Sequence, residues 1–260
     1  IVNFEIIEPH NNSYRGSILN NISKKSSYLE MDEVIRFLKN DRSKFRILPL
    51  GMLRNENRWG AFQIESIEGY HPAKLNKYNQ VKNEVGWNSL GLLQMLNVKY
   101  VISLDNLTHP AFKLVFSGKL LFQDKYVQTN VFQYEDFIER AFFVKKLKNI
   151  SNNDIQLETL RNNNFNPILN SFVEHDVNKF IYDSKAKVEI ISWSPNKIEF
   201  SLDVPTKQFL LVSEIFYPKG WKITSHLDWG IYPVNSILRG VYIPTGSHRM
   251  VMEFVPDDIY

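Results

Sequence analysis

Beyond about Pro167 the chain carries no helical period, only short β-prone runs. They lie near Val173 and at residues 187–192, 197–204, 209–215, 221–225, 231–234, 238–243 and 249–255, with turn residues such as Ser194-Pro195-Asn196 and Tyr217-Pro218 between them. Strands recurring at roughly 8–12-residue spacing predict an antiparallel β-sandwich, Ig-like or jelly-roll-like. Residues 166–260 are therefore expected to form a β-sandwich domain.

The preceding part reads differently. Residues 1–30 are polar and irregular (Asn11, Asn12, Ser13, Asn20, Asn21, Ser26, Ser27), as in a connector. Met31, Val34, Ile35 and Leu38 then follow the i, i+3, i+4, i+7 spacing of one buried helix face, and Lys44 to Leu50 reads as a strand ended by Pro49 and Gly51. Leu75, Tyr78, Val81 and Val85 mark a second helix, with Pro72 suited to its first turn and Gly86 to its C-cap. An apolar helix from Ser89 to Leu96 runs into a strand, Lys99 to Ser103. A hairpin is expected about Gln123-Asp124-Lys125, a strand from Ala141 to Leu147, and a short helix opened by Ser151 with Asp154 and closed by Asn162-Asn163-Asn164. Residues 31–165 thus read as a mixed α+β domain, the boundary falls near residues 140–170, and the fold class is α+β.

With 260 residues, 43% of them hydrophobic, the chain can bury a substantial core. Its 31 basic and 28 acidic residues are mixed along the sequence, without the basic block that marks a nucleic-acid partner. No apolar run approaches the roughly 20 residues that span a bilayer, and no charged-then-apolar leader is seen, so the chain as it stands is expected to be soluble. It begins at Ile1 without an initiator methionine, as a piece of a longer protein or a processed product does. With no cysteine, disulfides, thiolate catalysis and Cys-ligated metals are excluded. The histidines His10, His71, His109, His175, His226 and His248 show no paired ligand spacing, and neither a Gly-rich phosphate loop nor a G-x-S-x-G elbow occurs. No metal and no cofactor are expected.

Two groups of residues mix aromatic rings with charge. Arg58, Trp59, Glu65, Glu68, Tyr70, His71 and Lys74, with Lys77 and Tyr78 beyond, combine surfaces for stacking with groups that hydrogen-bond hydroxyls or phosphate. If His71 and Pro72 open a helix, its free amides can also hold an anion. The same residues can instead be structural, with Trp59 and Tyr70 in the core, Tyr78 on the buried helical stripe and Arg58 paired to a nearby acid. Glu65 and Glu68 offer two carboxylates for glycoside cleavage, or simply a solvated face. The second group is Glu214, Tyr217, Trp221, Arg239 and Tyr242. On adjacent strands Trp221 and Tyr242 can form an aromatic platform beside Arg239, or can fill a sandwich core with an Arg–Glu pair at its edge.

Several blocks resemble one family in the same order along the chain. Arg46-Ile47-Leu48-Pro49-Leu50, Asn57-Arg58-Trp59, Glu65 to Leu75, and Met95 to Tyr100 precede Leu210 to Glu214, Tyr217-Pro218, Gly220-Trp221-Lys222, Leu238 to Pro244 and Gly246-Ser247-His248. Together they resemble the extracytoplasmic C-terminal region of YfhO-like proteins, large bacterial membrane proteins related to the type C glycosyltransferases. Glu68 departs from the small residue expected before Gly69-Tyr70-His71, and His226-Leu227-Asp228-Trp229 replaces an Asp-Gly turn.

The resemblance implies a soluble domain on the extracytoplasmic face of the bacterial cytoplasmic membrane. Its partners would be the membrane-embedded remainder of the same protein and a cell-envelope glycan or lipid-linked sugar. The catalytic acid of such transferases sits on an early loop near the membrane, so this segment is expected not to be catalytic by itself. The role implied is accessory: binding or positioning a glycan or acceptor. The alternatives are a structural or protein-interaction domain without ligand, and a carbohydrate-active hydrolase.

Overall fold

The computed structural model describes residues 29–69, 75–217 and 219–256. In chain order the elements begin with α1 (Glu33–Asn40), β1 (Arg46–Pro49), a 3-10 turn (Gly51–Asn55), α2 (Arg58–Ala61) and β2 (Glu65–Ser66). They continue with α3 (Asn76–Glu84), α4 (Leu90–Met95), β3 (Val98–Ser103), β4 (Phe112–Phe122), β5 (Lys125–Tyr134), β6 (Ala141–Phe143), β7 (Leu147–Asn149) and α5 (Asn153–Arg161). The last are β8 (Ser171–Val173), β9 (Lys187–Ser194), β10 (Lys197–Val204), β11 (Gln208–Ile215), β12 (Trp221–Ile223), β13 (Tyr232–Val234), β14 (Leu238–Ile243) and β15 (Gly246–Phe254). The protein is α+β and mostly sheet. The connector expected at residues 1–30 falls, up to residue 28, outside the described residues, as do Tyr70, His71, Pro72 and Lys74.

Two compact units divide the chain. The first holds the described residues up to Gly69 together with Lys99–Glu135, and the second holds those from Leu75 to Val98 and from Asp136 onward. This division differs from the split into 31–165 and 166–260 read from strand spacing. Helices α3, α4 and α5 and strands β6 and β7 group with the sandwich, because β6 pairs with β11 and β7 with β8. Pairings made across tens of residues leave no mark in local spacing.

In the first unit the strand order is β2-β1-β3-β5-β4, with β1 and β2 parallel and β3 and β4 each antiparallel to β5. Val34, Ile35 and Leu38 of α1 share a core with Ile47, Ile102, Leu120 and Val131. Met31, expected on that face, is 42% exposed. The helix starts later than its apolar spacing implies because Asp32 is its N-cap, Oδ1 accepting from the Ile35 amide at 2.9 Å. Gln123 and Asp124 both take positive φ, 49° and 60°, the mirror-image two-residue turn that matches strand twist.

In the second unit one sheet runs β12-β15-β10-β9 and the other β6-β11-β14-β13-β8-β7. Ile198, Phe200 and Leu202 of β10 and Met250 and Met252 of β15 share a single core with Leu210 and Val212 of β11 and Val241 and Ile243 of β14. The two sheets therefore face each other in a sandwich-like arrangement, with alternate residues of each strand turned inward.

The helices of this unit are set by local chemistry. Ser89 accepts from the Leu92 amide to cap α4, and Gly86, at φ 72°, ends α3. Helix α3 begins at Asn76, so the anion-holding amides expected at His71-Pro72 belong to no described helix start. Helix α5 is capped by Asn152 rather than Ser151, its side-chain oxygen accepting from both Asp154 and Ile155. The single strand expected from Ala141 to Leu147 is two: the Val144 amide still donates to the Phe209 carbonyl of β11 at 3.0 Å, but the Lys145 amide turns to the Ile168 carbonyl at 2.6 Å.

Candidate functional site

The first group of predicted residues is built into the framework of the first unit. Arg58 is 2% exposed; its guanidinium donates to Asp32 Oδ2, to the Leu121 carbonyl and, at 3.2 Å, to the Glu30 carbonyl. The other face of this clasp is Asp32 Oδ2 accepting from the Leu121 amide at 3.1 Å, and Glu33 Oε2 takes the Lys119 amide at 2.7 Å. Two carboxylates at the start of α1 thus satisfy backbone donors along the outer edge of β4, an edge that would otherwise invite another strand. Trp59 is 1% exposed and lies in the core.

Glu65 and Glu68 are three residues apart on extended chain and are held separately. Glu65 Oε2 lies 3.4 Å from Arg46 Nε, while buried Glu68 lies 3.9 Å from Arg54 Nε.

The second group is split by the pleat. Arg239, like Val241 and Ile243, turns into the sandwich, whereas Tyr242 turns to the opposite face and packs against Phe209, Tyr232 and His175 at 4.8, 5.6 and 6.2 Å. Burial pushes the Tyr242 phenol upward, countered in part by the hydrogen bond it accepts from the Asn178 amide at 3.2 Å. The expected Trp221–Tyr242 platform therefore does not form. Trp221 meets Arg239 instead, with Arg239 Cζ 3.8 Å from the ring centroid and its Nε donating to the Ile215 carbonyl at 3.1 Å. Glu214 pairs with Arg140, at 3.0 Å, and Arg140 in turn lies over Trp193 at 5.2 Å.

What the structure adds is Phe254. It is the register partner of Trp221, with ring centroids 5.8 Å apart, and the Tyr217 ring lies 6.3 Å from it. Gly220, at φ 103°, makes this possible, since a Cβ there would stand 2.6 Å from the Phe254 ring. Tyr217 is 40% exposed and Trp221 and Phe254 are half-buried, so the three rings form a ledge at one end of the sandwich, with Arg239 beneath Trp221. Such rings present apolar faces to the C–H side of a sugar while polar groups at the rim meet its hydroxyls. Phe254 was not legible as a site residue because only the β12–β15 register brings it to Trp221.

A further ring cluster lies in the turn after β12. His226 stacks on Trp229 at 4.0 Å, and His248 meets Trp229 edge-on at 5.1 Å. Their nitrogens are engaged locally, His226 Nδ1 with Ser225 Oγ at 2.8 Å and His248 Nε2 with the Pro244 carbonyl at 3.0 Å. Among the described residues no group of three or more His, Asp or Glu side chains is placed to hold a metal ion, and no helix is long and apolar enough to cross a membrane. In comparisons with protein-family models, curated proteins and solved structures, nothing matches this chain.

Proposed function

We propose that this chain is the extracytoplasmic domain of a YfhO-like bacterial membrane protein related to the type C glycosyltransferases, and that it binds or positions a cell-envelope glycan or acceptor. The observation that carries the binding role is the ledge of Tyr217, Trp221 and Phe254, half-exposed rings held in place by Gly220 and Arg239. The ordered sequence blocks from Arg46 to His248 support the family reading. We further read the sandwich as a shortened jelly roll rather than an Ig-like fold. Its support is the nesting of strands about the β12–β13 link: β10 pairs with β15 in one sheet and β11 with β14 in the other.

The test is a glycan array together with titration against purified cell-envelope polysaccharides, using the wild type, Trp221→Ala and Tyr217→Ala. Binding by the wild type that falls at least tenfold in both variants, with folding retained by circular dichroism, is the expected result. If no glycan binds, the ledge is a structural end-cap and the domain a brace for its membrane-embedded remainder.

A further inference from the structure

Strands β6 and β9 each end their sheet, and between them lies an open groove of about 790 Å³. Phe142, Ile168 and Val188 give it an apolar floor. Glu139, Glu189 and Asp203 stand along its rim, against the single base Lys187. This rim is net negative on a chain whose net charge is +3. Glu139 and Glu189 are exposed and have no ion-pair partner among the described residues.

The edge beside the groove is unpaired. Strand β9 hydrogen-bonds to β10 alone among the described strands, in register Lys187↔Asp203 and Glu189↔Ser201, and its pairing stays regular there until a bulge between Glu199 and Phe200. Residues 187–189 therefore combine a free backbone edge, an apolar floor and a carboxylate rim within one stretch. Lys187 and Glu189 put charge on this edge, one usual protection, whereas the other, the bulge, lies beyond the groove rather than in it.

We propose that this groove docks an extended peptide segment in which lysine or arginine alternates with apolar residues. Added beside β9, such a segment pairs its backbone with the free edge. The period-two alternation of a strand sends one set of side chains to the apolar floor and the other to the carboxylates. An acidic segment meets the same rim with like charge, and a polyol lacks the apolar side chains that the floor fits.

The experiment is fluorescence anisotropy with a labelled Lys-Val-Arg-Val-Lys-Val peptide, its acidic counterpart with Glu and Asp at the charged positions, and a version carrying N-methyl groups along one edge. The proposal expects the basic peptide to bind at least tenfold tighter than the acidic one, to weaken several-fold at high salt, and to lose binding on N-methylation. Glu139→Lys/Glu189→Lys, both at exposed positions, is expected to reverse the charge preference, and Ala186→Trp to abolish binding by filling the groove. Equal binding of both peptides, unchanged preference in the double variant, or binding that survives Ala186→Trp overturns it.

Discussion

Arg239 and Tyr242 stand three residues apart on β14 and point to opposite faces of the sheet, Arg239 under Trp221 inside the sandwich and Tyr242 against Phe209 outside it. The two side chains must then differ in what their loss does. Trp221→Ala removes a half-buried ring and its stack on a guanidinium. Full burial of Trp makes truncation cost about 3–5 kcal/mol, so roughly 2 kcal/mol is expected at this site, read as a lowered urea midpoint. Trp221→Phe keeps part of the stack and costs less. Tyr242→Phe removes only the acceptor of the Asn178 amide, about 1 kcal/mol or less, and is expected to leave the glycan binding proposed for the ledge unchanged. A Tyr242→Phe variant that loses binding would place the recognition surface on the wrong face.

The buried Arg58–Asp32 pair yields the largest expected loss. Breaking a buried ion pair by removing one partner leaves a charge without compensation, and Arg58→Met is expected to cost about 3–5 kcal/mol. Asp32→Asn also weakens the tie between α1 and β4, since Oδ2 accepts from Leu121 as well as from Arg58. Because both changes break one network, the double variant should be destabilised by clearly less than the sum of the two. Additive losses in denaturant melts would show that the two groups act independently.

These two sites show how far the sequence was legible. The strands after Pro167 were readable because each combines β-branched residues with a turn signal, and their residues still lie where spacing put them. The helix face of Val34, Ile35 and Leu38 was readable for the same local reason. That Arg58 would pair with an acid was one of two open readings, but its partner, Asp32, lies 26 residues earlier, and only the fold brings the two together. The ledge was half legible: Tyr217 and Trp221 stood out as aromatics, while Phe254 reaches them through the register of β12 with β15. The unit boundary failed to show because β6 completes a sheet whose next strand, β11, follows more than sixty residues later.

Two glycines should respond in opposite directions. At Gly91 in α4 an added Cβ would stand 2.0 Å from the Phe165 carbonyl oxygen, a backbone atom that cannot swing aside. Gly91→Ala is expected to cost about 2–3 kcal/mol, as overpacking does when the chain itself must shift. At Gly60 in α2 no atom lies within 4 Å and φ is not positive, so Gly60→Ala should be neutral or stabilising by up to about 1 kcal/mol. Thermal melts of the two variants check this. Loss at Gly60 or tolerance at Gly91 would contradict the packing described.

Asp41 sets an acid limit on stability. Partial burial alone would raise its carboxyl, but hydrogen bonds from Lys99, from the Ser43 amide and hydroxyl and from Tyr100 outweigh that and hold it at about 2, against an ordinary 3.8. A depressed folded-state pKa means that the contribution is complete above about pH 4 and is lost as pH falls towards 2; after solvent screening it amounts to about 1–2 kcal/mol. Tyr100 moves the other way. Burial first, then its hydrogen bond to Asp41 and that charge, raise the phenol above its ordinary 10.0, so its contribution is present below pH 10.0 and is lost as pH climbs beyond it. Urea midpoints followed across both ranges should show an acid limb that Asp41→Asn flattens and an alkaline limb that Tyr100→Phe flattens. If Asp41→Asn lowers stability by the same amount at pH 7 and near pH 2, the network does not hold the carboxylate as described.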